Sequence, residues 1–446
     1  MYELSVYPES QKGSIGMAFR AGATGQNLTE SQFGIASLKF RWNLSGSYQQ
    51  VIPRYFSTDN KGADPHEFLN DFFPDYREIT RAIFLKGYQW PFDVRKISGY
   101  GSSLIDLLVF KEREKGRRVF IDFSRNLTWD GSSDFRPEKL DPEVHDYLAK
   151  SDSLKQTPIE RLKTLNSPAV SLYSDHGIDL SSEALEIGVC AQHCNGGLKG
   201  NIWWESDLGH LFPVGEVNGS HGVYRPGGSA LNSGQVGSHR AALFIRKRYQ
   251  IPPSEKNNFL EETTPLIKKE LGRAATWLSG TPSGYGKETT MHIIRKRMSD
   301  YGSILRNRTM ISVAAEEAVK MYRSFEKDCS ASSVKELAEC FMQLNSCLAH
   351  LVYLIAIRTY LDNGGRSRGS FIAEDSESGS KRDLKDSSFY TDLCTYDREV
   401  EEKIIEARYD KGIVTTRLVS VREIPKQNLW FEKVWKEYLE DNFIDS

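Results

Sequence analysis

The sequence predicts a mixed fold, α+β to α/β, with helices dominating its C-terminal half, and three observations carry that expectation. Residues 185–244 hold the densest run of Gly, His and polar residues between apolar segments. Two short β-like runs there, 185–189 and 211–214, lead into glycine-rich turns, and the second turn opens onto a helical pattern from about Ala230. Beyond Pro252 and Pro253 the pattern becomes helical almost throughout. A strand, glycine-rich turn and helix in that order bring backbone N–H groups up to an anionic ligand.

Composition narrows the function classes. At 446 residues, 39% hydrophobic and 26% charged, the chain has ordinary soluble composition and room for two or three domains. The 58 Lys and Arg nearly balance the 60 Asp and Glu, so bulk charge favours neither nucleic acid nor an anionic membrane surface. No uninterrupted apolar run approaches the ~18 to 20 residues of a membrane span, and the opening MYELSVYPESQKG lacks a leader's charge-then-apolar order, so a cytoplasmic protein is expected. The 6 cysteines form no CxxC pair, which argues against a disulfide scaffold.

Taken in order, residues 13–23 read as a short helix of small residues fit for close packing. Residues 29–130 mix aromatic strands and helices, including a helix over 102–114 and, after Gly116, a strand over 118–123. The polar stretch 130–163, broken by Pro137, Pro142 and Pro158, is expected to be a surface excursion. Residues 288–325 are largely helical, and 334–360 is the clearest helix, its apolar residues keeping three- and four-residue spacing. Cys340 and Cys347 lie on that apolar face as buried thiols, and Asn363, Gly364 and Gly365 end the helix. A polar loop over 373–388, a β-like run over 413–424 and a closing helix with Trp430, Phe431, Val434, Trp435 and Leu439 on one side complete the chain.

Several motifs fail on spacing. TPSGYGKETT is not a phosphate-binding P-loop, because Gly280 is one position too far from Gly286 and Glu288 stands where Ser or Thr should bind magnesium, so it reads as a turn before a helix. Gly99 and Gly101 lack the third glycine of a dinucleotide fingerprint. Cys190, His193 and Cys194 have no second Cys/His pair at metal-ligand spacing, and no metal is expected.

The stretch from His193 to Arg240 is different, because unusual requirements coincide there. His193 precedes Gly196 and Gly197, a turn open to backbone geometry closed to other residues. Glu216 follows Gly215 at the end of an apolar run, suited either to a ligand hydroxyl or to capping a neighbouring loop. Arg225 suits a substrate carboxylate by a bidentate pair, or a surface acid, and Gly227, Gly228 and Ser229 lead into the helix.

At these residues the sequence resembles a known family. The string AQHCNGGLKGNIWWESDLGHLFPVGEVNGSHGVYRPGGSALNSGQVGSHRAA is similar to the second half of the FAD-binding domain in the succinate dehydrogenase, fumarate reductase and L-aspartate oxidase flavoproteins. His193, Gly196, Gly197, Gly215, Glu216, His221, Gly222, Arg225, Gly228, Leu231, Ala241 and Ala242 reproduce the pattern in order. GMAFRAGA and ESQFG resemble the family's exit from the flavin domain into a capping domain, GSSLIDLLVFKEREKGRRVFIDF resembles cap sequence, and Ser367 to Gly369 resembles a motif just past the helical bundle.

The resemblance implies a partial two-part FAD-binding domain with an inserted α+β capping domain and a C-terminal helical bundle. Its expected divisions are 1–33, the end of the first part of the FAD-binding domain; 34–186, the cap; 187–250, the second part; 251–365, the helical domain; and 366–446, a C-terminal segment. It implies that Glu216 holds the ribityl chain, that Ser229, Ala230, Leu231 and Asn232 offer backbone groups beside the flavin ring at a helix N-terminus, and that Gly215 and Gly228 also belong to the cofactor site. His193 and Arg225 match the substrate-carboxylate ligands, and the implied reaction is hydride exchange between FAD and a small, carboxylate-bearing or unsaturated organic substrate.

Three departures qualify the match. No GxGxxG fingerprint is present, so the first part of the flavin domain is expected to be missing, through truncation or because a complementary FAD-binding chain or redox partner supplies it. The family's QFHPT is Gln32-Phe33-Gly34-Ile35-Ala36 here, and its proton-donating arginine has no clear match, Arg54 falling at about the right distance. Gly13 stands where the family's GDG element has aspartate. The alternative expectation is a non-catalytic remnant or assembly subunit that cannot bind FAD alone.

Overall fold

A computed structural model describes residues 1–7, 13–252, 254–280, 287–374, 400, 403–423 and 431–440. Helix α1 (Ser14–Arg20) is followed by β1 (Thr24–Gln26) and β2 (Ser31–Ser37), the latter buried along its whole length. Then come β3 (Trp42–Asn43), α2 (Ser47–Gln50), β4 (Arg54–Thr58), α3 (Tyr76–Leu85), α4 (Ser103–Glu114) and β5 (Arg118–Asp122). Helices α5 (Pro142–Lys150) and α6 (Pro158–Asp175) precede β6 (Leu185–Cys194) and β7 (Gly197–Leu198). Local chemistry sets these starts: Asp75 caps α3, and Thr157 with Glu160 forms a capping box on α6, with Pro at its first position.

Five strands between Ser31 and Cys194 form an antiparallel sheet in the order β3-β2-β6-β5-β4. The stretch 130–163, expected on the surface, contributes to the core instead: Leu140, Val144, Leu148, Ile159 and Leu162 are buried. The prolines there mark helix starts, where the missing N–H costs nothing, and each short helix turns one apolar edge inward.

The C-terminal half contains α7 (Ser229–Arg248), α8 (Lys256–Ser279), α9 (Lys287–Tyr301), β8 (Leu305–Asn307), α10 (Arg308–Asp328), α11 (Val334–Asp362), β9 (Ile372–Glu374), β10 (Lys403–Asp410), β11 (Ile413–Ser420) and α12 (Phe431–Leu439). Helix α11 is the axis of this half, packing against α1, α9, α10 and β10. It is long and apolar enough to cross a membrane by length and composition, yet 89% of its most apolar window is buried inside the fold. Cys340 and Cys347 are buried on it as expected. Gly16 shows how closely α1 approaches: a Cβ there would lie 2.0 Å from the Asn345 carbonyl oxygen.

Three local expectations change. Residues 211–214 form no strand; Pro213 lacks a donor, and Asn218 Nδ2 donates to its carbonyl at 3.1 Å, folding the segment into a loop that ends in a 3₁₀ turn, Gly215–Val217. Within 288–325 the helical pattern is divided, with β8 pairing in parallel with β9 between α9 and α10. The run at 413–424 is a strand only to Ser420 and is half of a hairpin, β10 and β11, turned by Lys411 and Gly412 at φ 45° and 90°. That hairpin extends a four-stranded sheet, β11-β10-β1-β7. The expected turn at 281–286, the loop beyond Glu374 and Trp430 lie outside the described residues.

Candidate functional site

The end of β6 delivers the first site residue. Strands β2 and β6 run in register with Ser31 opposite Cys194 and Gln32 opposite His193, and an irregularity follows between Gln32 and Phe33, which faces Ala191. The extra residue, Gln192, bulges, and bulges re-aim side chains at sites. Beyond the strand, Gly196 and Gly197 are required by close approach: added Cβ atoms would lie 2.0 Å from the Asn27 carbonyl oxygen and 2.1 Å from that of Val217. These contacts clamp the 195–198 turn between the start of the chain and the 215–219 loop.

His193 is buried. Its Nδ1 donates to Asn195 Oδ1 at 3.0 Å, leaving Nε2 as a bare acceptor with no hydrogen-bond partner. Glu216 Oε2 stands 3.7 Å from that nitrogen. Burial, then the positive field of Arg225, lowers the His193 pKa to about 4, so the imidazole is neutral at pH 7. His221 packs edge-on, ring centroids 4.8 Å apart; its Nδ1 donates to the Asn218 carbonyl at 3.3 Å and its Nε2 is likewise buried and unpartnered.

Arg225 is brought to His193 by Gln32. The Gln32 Oε1 accepts from Arg225 Nε at 3.0 Å and from Nη2 at 2.6 Å, while Gln32 Nε2 donates to the Arg225 carbonyl at 3.2 Å. Arg225 Nη1 donates to the Pro226 carbonyl at 3.0 Å. Among the described residues Arg225 forms no ion pair, so a half-buried guanidinium keeps donors for an incoming anion.

Glu216 is seated by Gly215, at φ 81°, and its Oε1 accepts from the Cys194 N–H at 2.9 Å. Burial raises its pKa. A cavity of about 310 Å³ opens beside it, with Gln192, Cys194 and Tyr353 in its wall. Helix α7 begins at Gly228, φ 73°, with no side-chain cap on its first turn of Ser229, Ala230, Leu231 and Asn232. Leu231 is 79% exposed, and Gly215, Gly222, Gly227 and Gly228 all face open space. An uncapped, open helix N-terminus next to a carboxylate suits a ligand with both acceptor and hydroxyl groups.

The structure does not bring Arg54 to this cluster. Arg54 lies on β4 opposite Asp122, and Ile121 lies opposite Leu185, eight residues along β6 from His193. At ~3.3 Å per residue that is roughly 26 Å away. Its guanidinium is held by Glu67 at 2.7 Å and Asp122 at 3.6 Å, a structural pairing. Gln32, Asn195 and His221 were given no role from the sequence: His221 and Gln32 entered only as matches to the family pattern, and Asn195 carried a local signal, two positions from His193. Among the described residues no group of three or more His, Cys, Asp or Glu is arranged to hold a metal ion.

With this geometry in hand, similarity to known proteins is informative. Over 102 residues the chain is 37% identical to one of the subunits of the fumarate reductase (CoM/CoB) from Methanothermobacter marburgensis, a match spanning 23% of this chain and 18% of that protein. That stretch of the chain is similar to a fumarate reductase subunit. The chain is also 32% identical over 152 residues to an uncharacterised FAD-dependent oxidoreductase of Methanocaldococcus jannaschii, covering 34% of this chain and 26% of that protein. Its fold matches a quinol-fumarate reductase with menaquinol molecules at TM-score 0.60 and 14% identity, over 96% of this chain and 65% of that one. It matches Mycobacterium smegmatis Sdh1 in complex with UQ1 at TM-score 0.59 and 15% identity, over 100% of this chain and 63% of that one. The chain thus spans less than two thirds of the solved chains whose fold it shares. No family model matches it.

Proposed function

We propose that this chain carries the flavin-ring and substrate side of an FAD-dependent oxidoreductase that exchanges hydride with a small organic substrate bearing a carboxylate. The observation that carries the reading is the convergence of Glu216, neutral His193 and Arg225 next to the uncapped start of α7. The donor set fits one side of FAD: Glu216 for ribityl hydroxyls, the N–H groups of Ser229, Ala230 and Leu231 for the ring's acceptors, the Asn232 N–H being bound to the Gly228 carbonyl at 3.2 Å, and glycines that leave room for it. No strand among the described residues runs through a GxGxxG turn into a helix, so the diphosphate needs groups from elsewhere. When bound, FAD would supply the hydride chemistry. Arg225 would fix the substrate carboxylate, His193 would accept a hydrogen bond at Nε2, and the positive end of α7 would favour negative charge beside it.

A second reading is a subunit that binds FAD only against a complementary chain. It is favoured by the exposed apolar residues on α8, including Phe259, Leu266 and Leu271, and by Leu231 and Val236 on α7. A visible absorption spectrum of the purified chain, before and after added FAD, separates the two. Near-equimolar flavin bands support autonomous binding, and a colourless chain that takes up no FAD overturns it.

A further inference from the structure

Two imidazoles meet at the site, and only His193 is accounted for by the reading above. His221 is held in the same sense as His193: each Nδ1–H is committed to an amide oxygen, from Asn218 and Asn195, and each Nε2 is buried without a partner. Two bare acceptors on rings 4.8 Å apart, centroid to centroid, leave a pair of unsatisfied lone pairs that a hydrogen-bond donor or a proton would satisfy. The guanidinium of Arg225 opposes protonation of both rings.

The surrounding groups say which ring takes a proton. Glu216 faces His193 across 3.7 Å. Glu30 is bound to Arg368, and the Tyr224 ring is covered by Arg95 at 3.5 Å, so neither offers a fresh charge. Burial and Arg225 hold both rings neutral, but His193 is buried and His221 only partly so. An anion seated on Arg225 cancels the field that opposes protonation and adds negative charge of its own.

We propose that His221 is a positioning residue that takes up one solvent proton when a carboxylate seats on Arg225, its imidazolium offsetting charge that Arg225 alone would meet. The inference rests on the substrate side of the proposed function and not on flavin chemistry. Linkage gives the sign: an anion that raises the His221 pKa binds more tightly as pH falls, by up to tenfold per unit, between the bound and unbound midpoints.

The test uses the full chain with FAD added and fumarate as the dicarboxylate probe. Imidazole ¹⁵N spectra, assigned with His221→Gln and His221→Asn, should show neutral Nδ1–H tautomers for His193 and His221, and a rise of at least one unit in the His221 midpoint with saturating fumarate. Calorimetry in buffers of different ionisation enthalpy, at the pH midway between the free and bound His221 midpoints, should show about half a proton or more taken up per fumarate, falling by more than half in His221→Gln. A His221 midpoint unmoved by fumarate, or uptake unchanged in His221→Gln, overturns the inference. Failure to take up FAD with the imidazole response intact counts against autonomous flavin binding alone; the wild-type spectrum decides the inference even if a variant misfolds.

Discussion

Arg368 donates two hydrogen bonds, from Nε at 2.9 Å and Nη2 at 2.6 Å, to a single oxygen of Glu30, joining residues 338 positions apart. The side chains are 5% and 2% exposed, the same Glu30 oxygen accepts from Thr29 Oγ1 at 2.7 Å, and the guanidinium stacks on Tyr360 at 4.4 Å. The pair fastens the loop after α11 to the start of β2, one residue from Ser31 and two from Gln32, and so supports the strand that positions Arg225.

Removing one partner leaves a buried charge unmatched. Arg368→Ala or Glu30→Ala should lower stability by about 3–5 kcal/mol, read as a fall in urea midpoint, whereas replacing both with apolar residues should cost less than either alone. A double-variant loss equal to the sum of the two single losses would show that the pairing contributes little.

Glu216→Gln keeps the shape of the side chain and removes its charge. If Glu216 holds ribityl hydroxyls, FAD affinity should fall roughly 10- to 100-fold, the equivalent of a hydrogen bond to a charged group of about 1.5–3 kcal/mol. Flavin fluorescence quenching on titration measures it, and unchanged affinity would remove Glu216 from the cofactor site.

Arg225 and Arg54 should behave oppositely. Arg225→Lys loses the planar fork and should weaken dicarboxylate binding roughly 10-fold or more with little change in stability. Arg54→Gln separates two carboxylates from their cation and should cost about 1–3 kcal/mol of stability while leaving dicarboxylate affinity unchanged. Differential binding of fumarate, followed by calorimetry, distinguishes them.

His350 lies fully buried on α11 with neither ring nitrogen hydrogen-bonded, and burial, reinforced by Arg297, lowers its pKa to about 3. Between the unfolded value near 6.5 and about 3, the unfolded chain binds this proton and the folded chain does not. Stability should therefore fall as pH drops through that window, with up to about 1.4 kcal/mol per pH unit from this residue. His350→Leu should flatten that part of the profile in urea melts at pH 7, 5 and 4; an unchanged slope would mean that the folded chain protonates His350 as easily as the unfolded one.

The residues of the candidate site were largely legible in the sequence and the contacts that support them were not. Gly196, Gly215 and Gly228 stand out in a sequence because close approach or positive φ restricts the residue at that place, and α11 stands out because burial on one face imposes its spacing. Such constraints act within a few residues, so the order His193, Glu216, Arg225 and the helix after Gly228 could be read directly. Distance along the chain hides the rest. Sequence spacing offered Arg54 to the site, while the sheet register put it at the far end of β6 and tied it to Glu67 and Asp122. Gln32 matches a family motif, but its hold on Arg225 exists only once β2 pairs with β6 and the 225 loop folds over it. Strand β10 and the burial of residues 140–162 were set in the same way, by which surfaces were left to cover once distant elements had packed. The sequence by itself determined which backbone shapes and chemical groups the site contains, because those are local requirements; the tertiary structure decided which groups meet, because pairing register and burial depend on the whole chain.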